Sequence, residues 1–360
     1  MVFEDFFKGV VDAVEKRHSF NERVASCLLP IKRSLSPSGV EALTLPVVRS
    51  SLDFSVGGVD SGFVSKKLSF IDLVLIKTAG VVFDYKNSVL SSFDYYPAPF
   101  SFPEPVLLKS GLERDEETQS VSLIRLEKEV SCAISVIKKY KPKYFFVDGS
   151  LVPQYQDKPR KDSGINEDYF SVVKLFELLY SVAKINSTIL IGCVEDSRGT
   201  RFRQILQEEV ILKKSIRIDS KLLDSSFDAS LLDYYLDCGE RTFAFPYTNS
   251  SSSHAILKDY SSEWANSIFV FYIKCSLFDK PLRVEFVLNK GSDLKSVSDS
   301  VAGVVLALSS LHKEYSFPSV LIEADIRAGL SEQEINVVYE RLVDKLGGKI
   351  RLRRKNRPFG

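Results

Sequence analysis

The sequence predicts an α/β fold in which helices flank a mixed central sheet. Apolar runs rich in β-branched and aromatic residues recur along the chain, as in buried strands. Segments with one apolar face at helical spacing lie between these runs. Two runs carry an aspartate beside glycine, Asp60 in residues 56–63 and Asp148 directly after residues 144–147. Since open α/β sheets bind ligands at the carboxyl ends of strands, both aspartates are candidate site residues.

Composition narrows the functional class. Hydrophobic residues make up 44% and charged residues 26% of the 360 residues, which is typical of a globular protein. The net charge of +1 indicates that any nucleic-acid surface must be local. No apolar run reaches the roughly 18 residues of a membrane span, and acidic residues within the first 18 argue against a signal peptide. We therefore expect a cytoplasmic protein without a membrane segment.

Cysteine and histidine usage argues against several kinds of site. The five cysteines are widely separated and form no CxxC motif, so we expect reduced, buried thiols. The three histidines are scattered, which argues against a histidine-based zinc site or a histidine-dependent triad.

The N-terminal part predicts a helix followed by a sheet meander. Apolar side chains between Val2 and Val14 recur at helical spacing, which predicts an amphipathic helix over residues 2–17, either docked on its own core or offered to a partner. Three β-rich runs then predict an antiparallel meander from residue 56 to 85. We expect the N-terminal helix and a connecting segment to end at residue 55, a main domain over 56–346 and a basic tail over 347–360.

The clearest helix is predicted over residues 115–140. Glu127 borders its apolar stripe, where a carboxylate must be partnered or bound to a cation. Glu129 lies on the opposite flank, where Arg125 can pair with it at i+4 spacing. The pattern favours Glu127 as the functional carboxylate and leaves Glu129 as the alternative.

Further elements are predicted in the second half of the chain. Ser331 is expected to cap the last helix, since Glu334 stands three residues later. The basic tail either contacts phosphates or is a solvated terminus. The predicted strands are residues 144–147, 188–194, 268–274 and 282–288, and the predicted helices are residues 169–184, 201–210, 297–311 and 331–346.

The order of these elements predicts a metal site. A meander with Asp60, a helix with Glu127 and a strand ending at Asp148 follow one another as in the RNase H-like plan. Carboxylates held at one point repel each other unless divalent cations neutralise them. Ligation by oxygen alone suits magnesium or manganese better than zinc. Two such ions can activate a water and stabilise the leaving oxygen in phosphodiester hydrolysis.

The sequence resembles the NurA family, whose members are archaeal and bacterial nucleases that work with the hexameric translocase HerA on DNA ends. The most specific matching segment is residues 146–151, around Asp148. The matching segments occur in family order: residues 58–62, the helix with Glu127, and residues 146–151, 190–198, 271–274, 283–285 and 317–325.

The resemblance implies an RNase H-like core and a manganese-dependent, or magnesium-dependent, deoxyribonuclease. It implies exonuclease and also endonuclease activity, 5′–3′ polarity, a homodimer, and a role with a HerA-type ATPase in DNA end resection and double-strand break repair. Single-stranded DNA and duplex ends are the implied substrates. Carried over by position, the implied metal ligands are Asp60, Glu127 and Asp148, with Asp325 in the catalytic set; the DNA-binding candidates are Lys274, Arg198 and Arg283.

Three positions depart from the family pattern. The family commonly has lysine at Glu195, tyrosine at Phe317 and histidine at Asp325. Phe317 cannot donate a hydrogen bond, and Asp325 can bind a metal but cannot act as an imidazole acid. These departures support an alternative, a non-catalytic DNA-end-binding partner of the translocase. A third reading, an actin-like phosphotransferase, rests on residues 60–66, which resemble a phosphate loop.

Overall fold

The computed structural model describes residues 2–67, 72–213, 218–224 and 226–347. The predicted basic tail, from residue 348 onward, lies outside these residues. The helices are α1 (Val2–Leu28), α2 (Arg114–Tyr140), α3 (Asn166–Ile185), α4 (Arg201–Ile205), α5 (Asp228–Tyr235), α6 (Leu294–Ser309), α7 (Ser319–Ala328) and α8 (Glu332–Leu346). The strands are β1 (Thr44–Pro46), β2 (Ser55–Lys67), β3 (Asp72–Lys86), β4 (Val89–Tyr96), β5 (Glu104–Leu107), β6 (Tyr144–Asp148), β7 (Ile189–Val194), β8 (Glu240–Thr242), β9 (Phe245–Pro246), β10 (Ile268–Lys274) and β11 (Leu282–Val287).

The chain divides into two compact units, each built from separate stretches of sequence. Unit 1 comprises residues 1–51, 193–249 and 268–318, and unit 2 comprises residues 52–192, 250–267 and 319–360. The predicted domain boundaries at residues 55 and 346 stay a prediction.

Unit 2 contains a mixed sheet in the order β7-β6-β2-β3-β4, with β5 beside β3. β2 pairs antiparallel with β3 and β3 with β4, so the predicted meander is confirmed. β6 pairs parallel with β2. Helices flank this sheet, an N-terminal helix precedes it and helix α8 follows it, which confirms the predicted fold class.

Glycines allow helices to pack closely on both faces of the sheet in unit 2. A Cβ atom at Gly62 would lie 2.4 Å from the carbonyl oxygen of Ala328, at the end of α7. A Cβ atom at Gly80 would lie 2.5 Å from the side chain of Val136 in α2. Because Gly80 lies opposite Val59, and side chains alternate along β2, these two helices cover opposite faces.

Capping boxes begin two helices of unit 2, and apolar contacts also hold the second of them. Helix α2 begins with a capping box formed by Glu113 and Glu116. Helix α8 begins with the capping box of Ser331 and Glu334 that the sequence predicts. Helix α8 packs its apolar side chains against Leu73 and neighbouring residues of β3.

Unit 1 pairs its strands antiparallel in the order β1-β8-β10-β11, with β9 beside β10. The predicted hairpin of residues 268–274 and 282–288 is confirmed as β10 and β11. The core of this unit includes Val24 and Leu28 from the end of α1, together with side chains from α4 and α5. Helix α1 is therefore longer than predicted, because its last turns are buried in this core.

Two other differences from the sequence predictions stand out. Helix α7 was not predicted, although it packs directly on β2. The five cysteines form no disulfide, and Cys27 and Cys238 are exposed, so the expectation that all are buried is wrong for these two. Within the described part of the chain, no helix is long and apolar enough to cross a membrane.

Candidate active site

Asp60 and Asp148 lie side by side on neighbouring parallel strands. Val59 in β2 is in register with Val147 in β6, so each aspartate is the next residue on its strand. Neighbouring strands are about 4.8 Å apart, and residues in parallel register point to the same face. Asp60 is 6% exposed and Asp148 is half-buried where β6 ends. The two aspartates are thus neighbours across the sheet, but only Asp148 lies at the carboxyl end of its strand, because β2 continues past Asp60 to Lys67.

Asp325 joins this pair from helix α7. Asp60 lies between Gly58 and Gly62 on the face of β2 that α7 covers, and a Cβ atom at Gly58 would lie 3.0 Å from Val320. Burial raises the pKa of the Asp60 carboxyl, the backbone N–H of Ser61 opposes this rise, and the charge and hydrogen bond of Asp325 add to it. Two carboxylates in contact disfavour double ionisation, and a cation between them would remove that cost.

Glu129 occupies the opposite face of β2, next to Ser61. Its side chain is 1% exposed and accepts hydrogen bonds from the Ser61 hydroxyl and from Arg125 Nη1 at 3.1 Å. Burial raises the pKa of the Glu129 carboxyl to about 7, although Arg125 and Ser61 favour its charged form. The charge of Asp60 raises the pKa of Glu129 further.

The structure contradicts the expected placement of the two glutamates of α2 relative to the sheet, and the functional role of Glu127 stays untested. Glu127 is exposed to solvent, whereas Glu129 is buried. Helix α2 contacts α3 as well as β2 and β3, so its buried surface is wider than a single apolar stripe. The sequence contained one signal for the burial of Glu129, its i+4 spacing from Arg125, with which it forms an ion pair.

Two of the three predicted DNA-binding residues are buried in ion pairs of unit 1. Lys274 donates to the carboxylate of Asp233 at 2.8 Å. Arg283 Nε donates to Glu285 at 2.8 Å, and the guanidinium lies 5.1 Å from the ring centre of Tyr247. Their role in DNA binding stays a prediction, and it competes with these internal contacts, because both cationic groups already have acidic partners.

The remaining predicted positions of unit 1 are Arg198, Glu195 and Phe317. Arg198 and Glu195 are exposed. Phe317 is buried, and its ring stacks on that of Tyr315 with centroids 5.8 Å apart. Arg198 is thus the one predicted basic residue of the three whose exposure suits contact with DNA.

The donor atoms on the α7 face of β2 suit a hard divalent cation. Asp60, Asp148 and Asp325 supply carboxylate oxygens alone, the ligands that magnesium and manganese accept. The carboxyl contact that raises the pKa of Asp60 is relieved when a cation is bound. Among the described residues, no group of three or more His, Cys, Asp or Glu side chains has the geometry of a metal site. The residue types on this face thus fit a hard cation, although their side chains are not arranged as a metal site in this structure.

Comparisons with known proteins point to one family. Residues 54–328 match the NurA domain family. The NurA nuclease from Sulfolobus solfataricus is 16% identical, with 85% of this chain and 88% of that chain covered and a TM-score of 0.55, so the two share a fold. A NurA structure bound to dAMP and manganese is 11% identical over 96% and 97% of the two chains, with a TM-score of 0.48. Endonuclease V of Ciona intestinalis in complex with inosine-containing DNA is 12% identical over 92% and 99%, with a TM-score of 0.32. Comparison of the sequence with curated proteins gave no significant match.

Proposed function

The chain belongs to the NurA family of nucleases, and we propose that it is a metal-dependent deoxyribonuclease that hydrolyses phosphodiester bonds at DNA ends in the cytoplasm. The observation that supports this most is the adjacency of Asp60 and Asp148 on parallel strands, with Asp325 on the same face. Manganese, with magnesium as the alternative, follows from the resemblance of the sequence and from the all-oxygen donor set.

The carboxylates would act by holding divalent ions in a fixed position. When bound, two such ions supply an activated water and stabilise the leaving oxygen. Asp60 and Asp148 are held by paired strands, so their backbone positions are fixed before a ligand arrives. The burial of Asp60 strengthens its attraction for a cation relative to a carboxylate in water.

Glu129 replaces Glu127 in this proposal as the helix carboxylate of the centre. Its hydrogen bond from Ser61 fixes the residue that follows Asp60. With a pKa of about 7, Glu129 is close to half ionised at neutral pH, and a nearby cation would shift it to the charged form. Asp325 is proposed to contribute an additional oxygen ligand where the family commonly has histidine.

Asparagine at position 148 tests the proposal. Asp148→Asn preserves shape but removes a charge, so we expect it to abolish manganese-dependent hydrolysis of single-stranded DNA while leaving the fold and DNA binding intact. Asp94→Asn is the matched control, since Asp94 is an exposed acid of β4 in the same unit. Hydrolysis at the wild-type rate by Asp148→Asn would refute the assignment. A wild-type protein that binds DNA ends without cleaving them would support the non-catalytic alternative, which the departures at Phe317 and Asp325 favour.

The exposed part of helix α1 suits a role in assembly. Its apolar residues Val10, Val11 and Val14 are 47–63% exposed, and exposed apolar stripes are typical of interaction surfaces. We propose a homodimer that offers this helix to a HerA-type hexameric ATPase, acting together in end resection and double-strand break repair. The partner and the dimer follow from the family resemblance, and the exposed stripe supports them.

A further inference from the structure

A cleft of about 620 Å³ lies in unit 2 between the first half of α2 and the distal part of β2. Its walls include Phe63, Leu108 and Val121, and Arg125 also lines it. We propose that this cleft binds an unpaired base of the DNA strand that the nuclease acts on. The inference rests on the proposed function, and it adds a site for the substrate beyond the carboxylates.

The cleft leads to the candidate active site along one ridge of α2. Val121, Arg125 and Glu129 follow one another at i+4 spacing and share a helix face. Phe63 and Ser61 alternate with Asp60 and therefore point to that same side of β2. Arg125 lines the cleft and also donates to Glu129 at 3.1 Å and to Ser61 at 3.4 Å. A base stacked on Phe63 would lie about three strand residues, or roughly 10 Å along β2, from Asp60, whose side chain points to the opposite face of the strand.

The chemistry of the cleft favours a flat, uncharged group with a hydrogen-bonding edge. Phe63 is 46% exposed, which leaves an aromatic face for stacking against a base. Leu108 and Val121 supply apolar contacts, and the partly exposed guanidinium of Arg125 can stack on or donate to a base. The volume lies within the range of small-ligand pockets, about 300–1,000 Å³.

The charges of the cleft argue against a phosphate as its occupant. Asp72, Glu117 and Asp157 also line it, so acids outnumber the single lining arginine. A phosphate would be repelled by these carboxylates, whereas a neutral base would not. Because a base within a duplex is stacked and paired, it cannot enter without unpairing, so the ligand is a single strand or a frayed end.

The test measures binding of the full chain to a fluorescent single-stranded oligonucleotide in EDTA, where no hydrolysis occurs. Phe63→Ala should weaken binding about 5- to 150-fold, the range for loss of one stacked base, and Phe63→Trp should restore it. Phe93→Ala is the matched control, since Phe93 is an exposed phenylalanine on β4. An oligonucleotide carrying 5-iodouracil should cross-link to Phe63 on irradiation.

Each outcome separates this inference from the proposed function. Four results would each overturn the cleft assignment. They are unchanged single-strand affinity of Phe63→Ala, an equal loss of affinity in Phe93→Ala, cross-links confined to other segments, and no single-strand binding by the wild type. If Phe63→Ala loses affinity but the wild type never hydrolyses DNA with manganese, the cleft assignment holds and the nuclease proposal falls.

Discussion

Replacing Glu129 by glutamine measures how much the burial of this carboxylate lowers the free energy of unfolding. The folded pKa of about 7 lies above the ordinary value of 4.5, because the protein holds the charged form away from water. This difference corresponds to about 3 kcal/mol of folding free energy. Since the side chain is 1% exposed, screening by solvent reduces that figure little.

The direction of the pH dependence follows from the raised pKa. Below pH 4.5 the carboxyl is protonated in both the folded and the unfolded state, so burial of the charge costs nothing. As the pH rises through 4.5 to 7 the unfolded chain ionises first, and folding stability is lost. Above pH 7 the loss is complete. Glutamine carries no charge, so Glu129→Gln should equal the wild type near pH 4.5 and exceed it by up to about 3 kcal/mol at pH 8.

Urea unfolding in metal-free buffer at several pH values measures this effect. Glu127→Gln is the matched control, because Glu127 is exposed two residues away on the same helix; we expect its stability to stay within about 0.5 kcal/mol of the wild type. Turnover with manganese should fall by orders of magnitude in Glu129→Gln and only a few-fold in Glu127→Gln. Reversed results for the two variants would mean that α2 presents its other flank to the sheet. The assignment of Glu129 to the active site would then be incorrect.

Three further predictions concern packing, assembly and DNA contact. Gly62→Ala would place a Cβ atom 2.4 Å from a backbone oxygen of α7, so it should lower both the stability and the nuclease activity. Gly164→Ala should change neither, because a Cβ atom there would meet open space. Calorimetry measures the stability and a cleavage assay measures the activity of each variant. Deleting residues 1–17 should abolish co-elution with a HerA-type hexamer but preserve isolated nuclease activity; unchanged co-elution would refute the role of α1. Arg283→Ala should cost stability because it removes the guanidinium that forms an ion pair with buried Glu285, whereas Arg198→Ala should weaken DNA binding at unchanged stability; the opposite pattern would support Arg283 as a phosphate contact.

Sequence patterns predicted those strands and helices that are determined by residues close together along the chain. The uncharged run before Asp148 identified a buried strand, and the meander around Asp60 followed from three β-rich runs. The burial of Glu129 could not be predicted, because it depends on the elements that pack against α2, which are α3, β2 and β3, and because its partner Ser61 is 68 residues away. The burial of Lys274 could not be predicted either, since its partner Asp233 lies 41 residues earlier and on a different element.

The alternation of side chains along β2 explains why the site depends on the register of one strand. Asp60 shares the α7 face with Gly58 and Gly62, whose missing side chains make room for that helix. Ser61 points to the α2 face, where it meets Glu129. A slip of one residue would exchange the two faces and remove Asp60 from Asp148. The glycines therefore do more than permit close packing. A Cβ atom at Gly62 would clash with the backbone of α7 and one at Gly58 would crowd Val320, so this face of β2 favours the register that brings the carboxylates together.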